Sequence, residues 1–110
     1  MAELDGASRA RIDVAEGDPG CFTATISGEL DIHSVDALGA RIEDLLARPA
    51  TRIDFELSDL EFMDSSGLAL LLRVTNQFGP AHVRGAKPLI RRVIEVSGLD
   101  GVLQVDGPVP

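Results

Sequence analysis

The alternation of apolar and polar residues in the candidate strands most constrains what this chain of 110 residues can fold into. Ile12 and Val14 interleave with Arg11 and Asp13. Phe22, Ala24, Ile26 and Gly28 interleave with Thr23, Thr25 and Ser27, and Ile53, Phe55 and Leu57 with Asp54 and Glu56. A sheet covered by helices on both sides has strands that are apolar on both faces. Alternation instead predicts a sheet with one dry face, helices mainly on that face and water on the other. Between the strands the period changes. Val35, Leu38, Ile42 and Leu45 repeat at helical spacing behind Ser34, a candidate N-cap, and Pro49 ends that helix. A second helix runs from Ser66 to the Gly79-Pro80 stop, and Pro88 sits in the first turn of a third, with Gly98 as its C-cap. Ala81 to Arg84 and Leu103 to Val105 read as short strands. Gly17 to Gly20 reads as a turn, Asp31 to Ser34 as a connection and Ser58 to Phe62 as a loop. The predicted order is β-β-α-β-α-β-α-β, a single α/β domain with a mixed β-sheet. Residues 1–8 are expected to be a flexible tail, and 107–110 a second one.

The expected core is Ile26, Leu38, Ile42, Phe55, Leu57, Leu68, Leu71, Leu72, Val83, Val93 and Ile94. Net charge is −8, a field that repels nucleic-acid phosphates and anionic lipid, so neither nucleic acid nor membrane is expected as a partner. The charge is uneven. Fifteen acids face five bases up to Ser66, and three face five after it. The longest apolar run, Leu68 to Leu72, is far too short to span a bilayer. No apolar leader opens the chain, and a cytoplasmic domain is expected. Cys21 is the single cysteine, and no Cys/His cluster suggests a metal. No GxGxxG or Walker lysine is present, and no cofactor or small-molecule substrate is implied.

The segment that carries chemistry is Phe62-Met63-Asp64-Ser65-Ser66-Gly67-Leu68, at the start of the second helix. Its plain reading is an N-cap cluster of short polar residues. The functional reading starts from Ser66, which sits in the first turn, beside free N–H groups and the positive end of the helix dipole. A phosphate there would be tolerated and would alter a surface without unfolding the helix. A nucleophilic role for Ser66 would need a base, and only His33 and His82 exist; no GxSxG elbow supports it. Gly28-Glu29-Leu30-Asp31 closes the second strand. If the second and third strands are parallel neighbours, Asp31 and Asp64 leave equivalent ends and share a rim with Ser66.

Gly28-Glu29-Leu30-Asp31, the stretch Asp59 to Leu68 and Val96-Ser97-Gly98-Leu99 together resemble the STAS-domain family, and within it the bacterial anti-sigma factor antagonists. The likeness covers about residues 10 to 106 and places the domain at 9–106. The resemblance implies a partner-switching role. The unmodified domain binds an anti-sigma factor that is also a serine kinase, and so releases a sigma factor. Phosphorylation on Ser66 ends that binding, and a serine phosphatase restores it. Asp31, Asp64, Ser65, Ser66 and Gly67 match the family's partner-binding positions, and the domain itself supplies no catalysis. Ala86-Lys87-Pro88 stands where the family usually has a small polar cap, and the sequence ends soon after the last strand, where many members have a final helix. The alternatives are an interaction module that is not phosphorylated, such as a scaffold in a larger assembly or the regulatory tail of an anion transporter. Asp31→Ala is expected to leave stability nearly intact and to damage binding.

Overall fold

A tight hairpin opens the computed structural model, which describes residues 10–106. The expected tails at 1–8 and 107–110 lie outside the described residues. Strand β1 (Arg11–Glu16) runs antiparallel to β2 (Cys21–Leu30), with Ile12 opposite Ile26 and Val14 opposite Ala24. Strand β3 (Arg52–Glu56) lies parallel to β2, β5 (Ala81–Arg84) parallel to β3, and β6 (Leu103–Val105) parallel to β5. The sheet order is β1-β2-β3-β5-β6. This register sets Ala24, Phe55 and Val83 in one row across three strands, each fully buried. The alternation in the sequence therefore becomes one continuous dry face. The other face carries Thr23, Thr25, Arg52, Asp54, Glu56, His82 and Arg84, all at least partly exposed. Asp54 is held there by Arg52 Nε at 3.0 Å and by the His82 backbone N–H at 2.9 Å. Burial pushes the Asp54 carboxyl up, but these donors outweigh it and leave it below its ordinary range.

The helices cover the dry face. The expected first helix is two short ones, α1 (Ile32–Ala37) and α2 (Gly39–Leu46), meeting at Leu38 (φ −88°, ψ 7°). Gly39 follows at once, a weak helix former where a continuous helix would need a strong one. Helix α1 also starts earlier than expected, with Asp31 and not Ser34 as its N-cap. Helix α3 (Ser65–Phe78) buries Leu68, Leu70, Leu71 and Val74. Leu72 was expected in the core and is half-exposed. The buried arc is centred on Leu71, and the next residue lies about 100° round the helix, at the arc's edge. Leu38 and Val93 are likewise half-buried, packed against the core from outside. Helix α4 (Pro88–Val96) has proline at N1 and contributes Ile90 and Ile94. Lys87, its N-cap residue, makes no side-chain cap bond.

One further element corrects the sequence reading. Where a loop is expected over Ser58 to Phe62, Leu60–Met63 is strand β4. It pairs with the end of β2, Gly28 opposite Leu60 and Leu30 opposite Met63, across a register shift between Gly28 and Glu29. Its buried residues are Leu60 and Met63, three apart, so no period-2 signal marks it. With Leu71 fully buried, Leu71→Ala is expected to lower unfolding stability by about 2–5 kcal/mol. A urea titration would measure this.

Candidate functional site

The site is built on β2, which changes partner part-way along. Its first half pairs with β3. From Gly28 (φ 90°) the strand pairs with β4, and the register shifts there because Glu61 of β4 is left without a partner between Leu60 and Phe62. The Asp64 N–H then bonds the Leu30 carbonyl at 3.1 Å. Asp31 and Asp64 each follow a residue of the Leu30–Met63 pair, so both acids leave adjacent strands at one rim. The rim expected from the sequence exists, and β4 forms it.

Each acid also starts a helix. Asp31 Oδ1 accepts the Ser34 N–H at 2.9 Å, and Ser34 Oγ accepts the Asp31 N–H at 2.9 Å. The Ser34 hydroxyl donates to the Glu29 carbonyl at 2.6 Å, and the side chain is buried. Ser34 is thus the third residue of a capping box. The Ser34 N–H is the main cause that holds the Asp31 carboxyl below its ordinary range. Burial opposes it, and Ser34's side chain and His33 add to it. Asp64 Oδ1 accepts the Ser66 N–H at 2.8 Å and a long contact from the Gly67 N–H at 3.4 Å. The plain reading of Asp64 as an N-cap is therefore correct. Ser65 is exposed and Ser66 half-buried, at the first two positions of α3.

Gly67 is buried and offers no side chain to a partner. A Cβ there would stand 2.6 Å from Met63 Cγ, 2.7 Å from Leu30 Cβ and 3.1 Å from the Leu30 carbonyl oxygen. Glycine lets the first turn of α3 rest on the Leu30–Met63 pair, and that contact positions Ser65 and Ser66.

The nearby cations divide. Lys87 Nζ bonds the Ser58 carbonyl at 2.7 Å and lies 3.7 Å from Glu61, tying the β3–β4 connection to the start of α4. Arg84 leans toward Asp54 on the wet face of the sheet. Arg92 lines a groove of about 400 Å³ between α3 and α4, with Ser65, Leu68, Leu89, Val93 and Val96. The sequence reading missed this groove. Its signal was Leu89, Val93 and Val96 at helical spacing, offset from the core pair Ile90 and Ile94. His33 is exposed on α1, and His82 Nδ1 lies 3.4 Å from Asp106. Among the described residues no helix is long and apolar enough to cross a membrane, and no group of three or more His, Cys, Asp or Glu could hold a metal ion.

Residues 15–105 match the family model described as Mlab, STAS domain. An anti-sigma F factor antagonist of Paenibacillus polymyxa is 32% identical over 91 residues, covering 78% of each chain. The crystal structure of an anti-sigma factor antagonist from Mycobacterium paratuberculosis superposes with a TM-score of 0.78 at 27% identity, covering 96% of this chain and 92% of that one. The Bacillus anti-sigma factor antagonist SpoIIAA is 25% identical. Its unphosphorylated form gives a TM-score of 0.71, covering 89% of this chain and 90% of that one. Its phosphorylated form gives 0.65, covering 89% and 93%.

Two outcomes test this geometry. Gly67→Ala is expected to destabilise the domain by about 1–3 kcal/mol, through the collision with Leu30; thermal melting measures it. The capping box revises the expectation that Asp31→Ala is silent for stability, and a lower melting temperature is expected. The Asp31 carboxyl has a lowered folded-state pKa, so its contribution is present above the ordinary value of about 3.9. It is lost as pH falls through the lowered one. Hydrogen exchange at the Ser34 N–H should accelerate in that acid range and not at neutral pH, relative to a base-pH-corrected reference amide.

Proposed function

The chain belongs to the STAS-domain family, and we propose on that premise that it is an anti-sigma factor antagonist switched by phosphorylation of Ser66. The observation that carries this reading is the position of Ser66, in the first turn of α3, on a rim shared with Asp31 and Asp64. In the unmodified state the domain binds an anti-sigma factor with serine kinase activity through Asp31, Asp64, Ser65 and Ser66, with Gly67 setting their height. Binding occupies the anti-sigma factor and releases its sigma factor. A phosphate on Ser66 adds about −1.5 to −2 charges at neutral pH. The N–H groups of Ser66 and Gly67 already face Asp64, so the phosphate has no empty helix terminus to sink into. It stays at the rim, beside two acids, and opposes the partner by bulk and charge. Helix α3 need not unfold for this to happen. In keeping with that, SpoIIAA is similar to this chain in both its phosphorylated and unphosphorylated forms. A serine phosphatase removes the group and resets the switch, and the cytoplasm is the proposed location.

The test has two parts. Trypsin releases residues 53–73, which hold Ser58, Ser65 and Ser66. Fragmentation of that peptide, from protein purified out of its own cells with phosphatases inhibited, should place phosphate on Ser66. Immobilised Ser66→Ala should then capture an anti-sigma factor from the same cells, and Ser66→Asp should bind it at least about tenfold more weakly, a difference of ~1.4 kcal/mol. An unmodified peptide in every growth condition, with equal binding by the two variants, would instead make the domain a constitutive interaction module.

A further inference from the structure

We infer that the groove between α3 and α4 seats an amphipathic helix of the anti-sigma partner, with an acidic side chain of that helix set against Arg92. The inference rests on the antagonist reading above and adds a second anchor to it. It begins with the exposed large apolar residues among the described ones: Ile32, Phe62, Leu89 and Val96. Isolated exposed apolar residues need no explanation, but these are not scattered. Ile32 directly follows Asp31, and Phe62 stands two residues before Asp64. Leu89 and Val96 are 52% and 77% exposed and line the groove. Ser65 lines it too, so the groove continues the rim at the start of α3.

The dimensions suit a helix. Leu89, Val93 and Val96 are spaced i, i+4, i+7 on α4, a stripe about 10 Å long at 1.5 Å per residue. A partner helix reads such a groove with apolar anchors at the same spacing. Arg92 sets the charge of the occupant. Among the described residues Arg41, Arg91 and Arg92 have no carboxylate within ion-pair distance, whereas Arg11, Arg48, Arg52, Arg73, Arg84 and Lys87 each have one, and of those three only Arg92 lines the groove. A planar guanidinium beside an apolar stripe selects a carboxylate in an otherwise apolar ligand. A second copy of this chain fits less well. A two-fold pairing through the groove brings the same patch of both copies together, Arg92 toward Arg92. The stripe alone is also well short of the ~800 Å² per partner of a stable interface. It works as an extension of the rim contact.

The test uses the anti-sigma factor identified through capture by Ser66→Ala, produced as a purified protein. Leu89→Asp and Arg92→Glu are made in the full chain; both positions are exposed, and unchanged melting curves establish that the variants fold. Each is expected to weaken binding about tenfold while preserving the ratio between Ser66→Ala and Ser66→Asp. A partner variant with the opposing acid changed to arginine should restore binding to Arg92→Glu. Unchanged affinity in both variants overturns the groove inference and leaves the antagonist reading standing. Failure of Ser66→Ala to capture any anti-sigma factor overturns both. Sedimentation showing a dimer of the free chain that Leu89→Asp dissolves assigns the groove to a second copy and overturns the inference.

Discussion

The first turn of α3 touches the backbone of β2, and the placement of everything at the rim depends on that contact. It requires a residue without a side chain at Gly67, because a single added carbon would press on Leu30 and Met63. It requires Leu30 and Met63 to be paired, which requires β4. It also requires β2 to leave β3 after Thr25 and take up β4 from Gly28, across the register shift at Glu61. Gly28, Leu30, Met63 and Gly67 thus form a chain of backbone dependencies. Ser66 at its end is located by main-chain geometry, and its own hydroxyl need do nothing to stay in place.

The rest of the sheet separates support from display. Its dry face joins helices and strands in one core. Its wet face is stitched by Asp54 to Arg52 and to the His82 amide. Under the proposed function the acids of the rim have both duties at once. Asp31 closes a capping box and Asp64 caps α3, and both also stand at the rim where the proposed partner would dock. Helix starts suit this double use, because the donors that need a carboxylate point out of the fold.

The outlines of the fold were legible because they depend on period. Alternation in Ile53, Phe55 and Leu57 reports a half-wet strand wherever that strand ends up, and Leu68 to Val74 reports a buried helix face. Two things escaped. Strand β4 has buried residues three apart because Glu61 is an extra residue without a partner on β2, and only the pairing reveals it. The break at Leu38 sits inside an uninterrupted helical pattern, and only Gly39 hints at it. The placement of Ser66 and the two acids at one rim was legible from type and order. The capping role of Asp31 was not, since Ser34 is also a good cap on local grounds, and choosing between them needs the path of the chain out of β2. The groove escaped because Leu89 and Val96 look like core until Ile90 and Ile94 are known to have taken the inside of α4.

The double duty of the rim acids limits how such a domain can diverge. A substitution at Asp31, Asp64 or Gly67 alters the architecture of the rim, so under the proposed function selection for a new partner cannot act on them freely. Ile32, Phe62, Leu89 and Arg92 have no comparable obligation to the core or to a helix end. Under the proposed function, two copies arising by gene duplication could keep the rim identical and still be insulated from each other's partners by drift at those positions alone. The fold thereby holds its grammar constant and leaves a small vocabulary open to change.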